Sequence, residues 1–443
     1  MSSSSRSYRL PFIVVTSLFF LWGFITVLVD ALIPRLKAVF ELSFFEAGLS
    51  QFAFFLAYAL VSIPVGYVIA NIGYKKGVVL GLLGMGAGCL MFWPAAEFRV
   101  FGIFLLAMFM LAAGITTLQV AANPYITALG PDDTASSRLN LAQAFNSLGT
   151  TIAPLVSAAF ILGTAVLSSH EIEALSETAR LAYHAEEAAA VQFPFLVLAG
   201  LLVILAFAFS RFDLPAILDT DHHRSGNYGA VLRSPRLMLG ALGIFVYVGA
   251  EVSIGSYMVN YFMDNGMPDM VLGSAFLSQV AGFLSGADPQ SLNPARIAGT
   301  FLFFYWGGAM LGRFVGAGLM QRFRPGSILA LFALGAVLLL IVTVTGVGSV
   351  AVWAPMFVGL CNSVMFPTIF SLAIGGLNQH TAQGSGVLCT AIVGGAIIPP
   401  LFGALGDVAG LQLAFLLPAA CYMYIAWYGR SVSTGVIAVA GTH

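Results

Sequence analysis

The stretch RFDLPAILDTDHHRSGNYGAVLRSPR, residues 211–236, interrupts a chain that is otherwise greasy, and where it falls decides the fold. A helix needs about 20 largely apolar residues to cross the hydrocarbon of a bilayer. Upstream of the interruption such windows lie near 11–33, 47–70, 77–95, 99–128, 139–163 and 193–210. Downstream they lie near 238–262, 297–320, 327–346, 349–375, 385–405 and 411–429. The segment 270–286 is moderately apolar but short, and the chain after it runs into Pro, Asn and Asp, so it reads as a re-entrant or surface helix. The expected architecture is an all-α membrane protein of twelve transmembrane helices. Residues 1–210 form one six-helix bundle, 211–236 a cytoplasmic linker, and 237–443 a second six-helix bundle.

Composition agrees. Of 443 residues, 59% are hydrophobic and 8% charged, where a soluble domain has roughly a quarter charged. No basic stripe or finger spacing is present, so membrane lipid and not nucleic acid is the expected surrounding. Cys89, Cys361, Cys389 and Cys421 all sit inside apolar stretches without a CxxC, which points to neither a disulfide framework nor a metal site. The Gly-rich runs lack a Gly-Lys-Ser/Thr ending, so no phosphate-cradling loop is expected. The N-terminal MSSSSRSYRLPF has no small-residue cleavage pattern, and the first span is expected to remain as an anchor. No catalytic cluster gathers at one membrane depth, so neither an enzyme nor a cofactor is expected.

Charge placement orients the spans. With both termini inside, that side carries Arg6, Arg9, Lys75, Lys76, Arg138, Arg211, Arg224, Arg233, Arg236, Arg322, Arg324 and Arg430. The other side carries Arg35, Lys37, Arg99, Arg180 and Arg296, and Arg313 falls within a span. That excess puts both termini in the cytoplasm. The acidic, alanine-rich 168–192 then reads as an external helix.

The two halves echo each other. GTTIAP at 149–154 is matched by GAIIPP at 395–400. Gln119 lies five residues before Pro124, and Asn362 lies five before Pro367. Two parallel repeats with a site between them is the plan of a rocking carrier.

Polar residues inside greasy spans mark the candidate site. Asp30 shares a helix face with Trp22 and Thr26, and an aspartate at this depth needs water, a cation or a partner. Glu251 lies near the middle of FVYVGAEVSIGSYMVNYF, with no Lys or Arg in its own span to neutralise it. The amides Gln119, Asn123, Gln143, Asn146 and Asn362 carry both donors and acceptors, which suits a ligand made of hydroxyl groups. Any one of them could instead be helix-to-helix glue worth about 1 kcal/mol. Trp22 and Trp306 offer flat apolar faces for a pyranose ring, while Trp93 and Trp427 read as interface-belt residues. Pro124 frees a backbone carbonyl in the fourth span.

The stretches FFLWGFITVLVDALIP, LQVAANPYITALG, RLNLAQAFNSLG, YVGAEVSIGSYMVNY, YWGGAMLGRF and GLCNSVMFPTIFSLAIGG resemble the major facilitator superfamily, and within it the fucose-galactose-glucose symporter group. The likeness covers almost the whole chain and implies the superfamily's fold of two six-helix halves. It implies that Asp30 is the first-helix aspartate of the central cavity, and that Gln143 and Asn146 are fifth-helix amides associated with substrate. Gln119 stands where fucose-transporting members have a proton-carrying glutamate. Glutamine cannot titrate, so that proton route cannot be copied here.

The expected function is cation-coupled import of a hexose, glucose or galactose, by alternating access. Either sodium or a proton is co-transported, with sodium preferred and a sodium site placed near Asp30. Glu251 serves either the sugar or the cation. The alternatives are an N-acetylglucosamine or fucose carrier, proton coupling, or an exporter of another polar metabolite. A monomer is expected.

Overall fold

Prolines inside apolar helices leave carbonyls without partners, and three of those carbonyls are met by side chains from other helices. A computed structural model describes residues 8–40, 44–160, 175–215 and 228–437, excepting the side chains at 29–40, 44–48, 50, 155–160, 181 and 184–191. Every regular element among the described residues is helical. Side-chain caps start several of them. Ser176 accepts from the Ala179 N–H at 3.3 Å at the start of Glu177–Arg211. Ser234 does the same for Leu237 at the start of Pro235–Asp264, where Pro235 has no N–H to lose.

Among the described residues, ten segments are long and apolar enough to cross a membrane. They are Arg9–Leu28, Gln51–Ile72, Tyr74–Phe98, Phe101–Ala128, Gln192–Arg211, Pro235–Asp264, Pro325–Thr345, Ser349–Ile374, Asn378–Ala409 and Leu411–Ser433. The two other expected spans are present as the helices Ala135–Phe160 and Leu302–Leu319. The first is thinned in apolar character by Arg138, Asn140, Gln143 and Asn146, the second by Tyr305, Trp306 and Arg313. Segment 270–286 is divided between Met267–Leu272 and Ala275–Ser285. Eleven residues of helix span about 16 Å, half the hydrocarbon thickness. The expected external helix differs from expectation: its residues from Glu177 onward are the first turns of the 35-residue helix Glu177–Arg211. The alanine-rich run holds no helix breaker before Pro194, so the helix continues into the span.

Three prolines show the carbonyl rule. A proline cannot donate to the carbonyl four residues before it, and in a membrane that carbonyl must find another donor. Pro124 leaves Val120, whose oxygen accepts from the Ser385 hydroxyl at 2.8 Å. Pro355 leaves Ala351, whose oxygen accepts from the Tyr261 hydroxyl at 3.0 Å. Pro367 leaves Ser363, whose oxygen accepts from Arg313 Nε at 3.2 Å.

The chain divides into two compact units. The first comprises Met1–Ala135, Phe145–Arg233 and Leu377–Ala391; the second comprises Ser136–Ala144, Ser234–Gly376 and Ile392–His443. In the first unit, the helices Tyr74–Phe98 and Phe101–Ala128 cross at glycines. A Cβ on Gly114 would lie 2.2 Å from the Met85 nitrogen, and one on Gly88 would lie 2.5 Å from the Leu111 nitrogen. Small residues at such crossings let backbones approach where lipid supplies no hydrophobic drive.

Candidate functional site

In the first unit, Gln119 is buried on Phe101–Ala128 and donates through Nε2 to the Tyr58 hydroxyl at 2.8 Å. Asn123, one turn further, is fully buried, and neither its Nδ2 nor its Oδ1 has a hydrogen-bond partner among the described residues. Such an orphaned amide calls for an explanation, since burying one without partners costs about 1–3 kcal/mol. Asn146 donates to the Phe19 carbonyl at 2.9 Å. It does so where Gly23 and Gly149 let the first and fifth helices touch, since a Cβ on Gly23 would meet the Asn146 carbonyl at 2.4 Å. Its amide nitrogen is thus committed to helix packing. Trp22 is buried and packs on Phe19, with ring centroids 5.5 Å apart. The side chain of Asp30 lies outside the described residues.

Asn123→Leu separates two roles for that orphan. Leucine has similar bulk and no polar atoms to desolvate, so the variant is expected to gain up to about 1–3 kcal/mol of stability while losing substrate affinity. Thermal melting and equilibrium binding of the purified variant check this. Loss of stability together with affinity would make Asn123 a structural residue.

In the second unit, a carboxylate is set among tyrosines. Tyr247 and Glu251 are four residues apart on Pro235–Asp264, and the Tyr247 hydroxyl donates to Glu251 Oε1 at 2.7 Å. The Tyr305 hydroxyl donates to the Glu251 backbone carbonyl at 3.4 Å and accepts from Asn362 Nδ2 at 2.8 Å. The helices carrying Tyr305 and Asn362 come close at Gly359, where a Cβ would lie 2.0 Å from the Tyr305 carbonyl oxygen. The buried Tyr422 hydroxyl lies beside the Asn362 amide and interacts with it. The positive charge of Arg313 acts on Glu251 and on Tyr247. Arg313 is itself held to the Ser363 carbonyl and, at 3.4 Å, to the carbonyl of the buried Gln143. Trp306 is 49% exposed, stacks edge-on with Tyr305 at 5.0 Å, and lies against Gly255, one turn beyond Glu251.

The expected residues therefore fall in two groups. Trp22, Gln119, Asn123 and Asn146 belong to the first unit, and Gln143, Glu251, Trp306 and Asn362 to the second. Glu251 and Asn362 are joined through Tyr305, and Gln143 is tied to that cluster by its backbone through Arg313. Sequence reasoning missed Tyr58, Tyr247, Tyr305 and Tyr422. Only Tyr247 carried a local signal, its spacing of four from Glu251. Arg313 had been noted as an intramembrane charge without its partners.

The cluster offers one acid, tyrosine and amide donors, and an aromatic face. That set accepts and donates hydrogen bonds to a polar solute inside a membrane. Residues 11–395 match the sequence profile of the Major Facilitator Superfamily. The chain belongs to that superfamily. It is 47% identical over 429 residues to the glucose/galactose transporter of Brucella abortus, covering 97% of this chain and 95% of that protein. It is 34% identical over 437 residues to the L-fucose-proton symporter of Escherichia coli, covering 97% and 94%. A crystal structure of the E. coli fucose:proton symporter superposes with a TM-score of 0.85 at 32% identity, covering 96% of this chain and 99% of that one. Within the superfamily the chain stands with this sugar:cation symporter group, as a multi-pass transport protein of a bacterial inner membrane and not an enzyme.

Proposed function

We propose that this protein imports a hexose, glucose or galactose, together with a cation, by alternating access. The reading rests chiefly on the 47% identity, across 97% of the chain, to a protein named as a glucose/galactose transporter. The side chains support it. Glu251 and Asn362 supply acceptors and donors for sugar hydroxyls, and the half-exposed Trp306 supplies a face for the ring. In the first unit Gln119 and Asn123 share a helix face and offer two more amides. We further propose twelve spans in two halves, 1–210 and 237–443, joined by 211–236, with both termini cytoplasmic and the carrier working as a monomer.

Sodium is the proposed coupling ion, because Gln119 cannot titrate, and Asp30 is its proposed ligand. A specific observation favours the proton as a second reading. The Glu251 carboxylate accepts from the Tyr247 hydroxyl, and Arg313 adds a positive charge nearby. The Arg313 charge disfavours a metal cation beside Glu251, whereas the carboxylate can exchange a proton.

The test is uptake of radiolabelled glucose into proteoliposomes, with an inward sodium gradient or an inward proton gradient imposed separately. Accumulation that follows sodium and ignores a collapsed proton gradient supports a sodium site. Accumulation that follows protons moves the coupling role to Glu251 or Asp30. Accumulation with neither gradient would overturn cation coupling, and competition by fucose or N-acetylglucosamine but not galactose would overturn the substrate.

A further inference from the structure

In the second unit the helices Leu302–Leu319 and Ser349–Asn362, with the short helix Ala275–Ser285, line a cavity of about 680 Å³. No charged side chain lines it; Leu277, Val280, Phe304, Trp353, Phe357 and Leu360 form much of the wall. The volume falls within the roughly 300–1,000 Å³ range of small-molecule sites, but a sugar would find almost nothing to hydrogen-bond. We propose that this groove is a lipid site, holding one acyl chain of a phospholipid whose headgroup phosphate rests on Arg296.

Four observations carry this. First, one wall belongs to Ser349–Ile374, a segment long and apolar enough to cross a membrane, and the lining residues Phe303, Leu311 and Phe357 are exposed, so the medium at the groove's mouth is hydrocarbon. Second, Ala275–Ser285 is too short to cross the bilayer, yet Phe276 is 71% and Phe283 87% exposed. Residues seven apart share a helix face, and the chain on either side carries Asp269 and Asp288. An apolar face flanked by water-seeking acids belongs at the membrane interface. Third, the groove is left open by a missing side chain. A Cβ built on Gly307 finds only the Phe303 ring at 4.0 Å, whereas one on the adjacent Gly308 meets the Leu360 nitrogen at 3.2 Å. Gly308 thus serves helix contact, and Gly307 serves the space. Fourth, Arg296 is exposed on Pro294–Thr300, five residues before Phe301, which lines the groove. Five helical residues rise about 7.5 Å, a distance that an arginine stem laid along apolar surface covers while its guanidinium stays with the headgroups.

Native mass spectrometry of the protein released from nanodiscs of phosphatidylethanolamine and phosphatidylglycerol tests the proposal. The wild type is expected to retain one phospholipid. Gly307→Leu fills the groove from one wall and Val280→Trp from another, and each is expected to lose that lipid at an unchanged melting temperature. Arg296→Ala is expected to release it under milder activation. A wild type that carries no lipid, or groove-filling variants that carry as much as the wild type, would overturn the proposal. So would a second copy of the chain cross-linked through the groove. If Gly307→Leu does not fold, Val280→Trp decides.

Discussion

Replacing Glu251 by glutamine is expected to abolish concentrative sugar uptake while leaving the protein folded. Glutamine keeps the shape of the side chain, and its carbonyl oxygen can still accept the Tyr247 hydroxyl that now reaches Oε1 at 2.7 Å. What it loses is the charge, and with it the group on which Arg313 acts. A hydrogen bond to a charged partner contributes about 1.5–3 kcal/mol, against about 0.5–1.5 kcal/mol for a neutral one. The difference is roughly 5- to 13-fold in affinity for each bond the sugar makes to this group. Proteoliposomes separate the two jobs this carboxylate can do. If accumulation is lost but counterflow exchange of labelled sugar persists, Glu251 handles the cation. If both fall, it holds the sugar. Wild-type accumulation in the variant would remove Glu251 from the mechanism and make its bond to Tyr247 purely structural.

The second large effect concerns folding. Gly114→Val is expected to leave no recoverable folded protein. A Cβ at that position would lie 2.2 Å from the Met85 nitrogen, 2.7 Å from the Gly84 carbonyl carbon and 2.9 Å from the Gly81 oxygen. These are backbone atoms of the facing helix, which cannot swing aside as a flexible side chain does. The helices Tyr74–Phe98 and Phe101–Ala128 would have to separate along their crossing. That disruption exceeds the ~1–3 kcal/mol of ordinary overpacking. Gly102→Val is the control, because a Cβ there meets nothing within 4 Å on the same helix. Size-exclusion chromatography of detergent extracts reads the result, and a sharp wild-type peak from Gly114→Val would show that the crossing is not tight.

Much of this was legible in the sequence because it depends on local composition. Hydropathy windows located the long spans, and the break at 211–236 separated two sets of them. The paired spacing of Gln119 with Pro124 and Asn362 with Pro367 singled out two special stretches. The expectation that Pro124 frees a carbonyl was sound; the identity of the donor, Ser385, was not accessible, since it lies 265 residues from Val120. The sequence windows included 139–163 and 297–320. The corresponding helices, Ala135–Phe160 and Leu302–Leu319, are the two outside the ten segments long and apolar enough to cross a membrane among the described residues, because polar residues interrupt them. The features that mark those helices for function also weaken the signal that marks them as spans.

The amides show the same division. By residue type all five were candidates alike, and only the family resemblance set Gln143 and Asn146 apart as substrate-associated. In the structure Asn146 is bonded to the Phe19 carbonyl, Gln119 to Tyr58 and Asn362 to Tyr305, while Asn123 is buried without a partner among the described residues. Their sequence context could not rank them, because each partner comes from a different helix.

By itself the sequence determined that this chain spans a membrane, that it does so with helices, and where special residues interrupt them. Those properties follow from the cost of placing unpaired backbone and charge in hydrocarbon, a cost paid residue by residue along the chain. Only the tertiary structure decided that Glu251 is met by Tyr247, Tyr305 and the charge of Arg313, and that Gly307 opens a groove while Gly308 closes a contact. Those outcomes depend on which helix faces reach one another. That is fixed by close packing between segments dozens to hundreds of residues apart, and no local pattern encodes it.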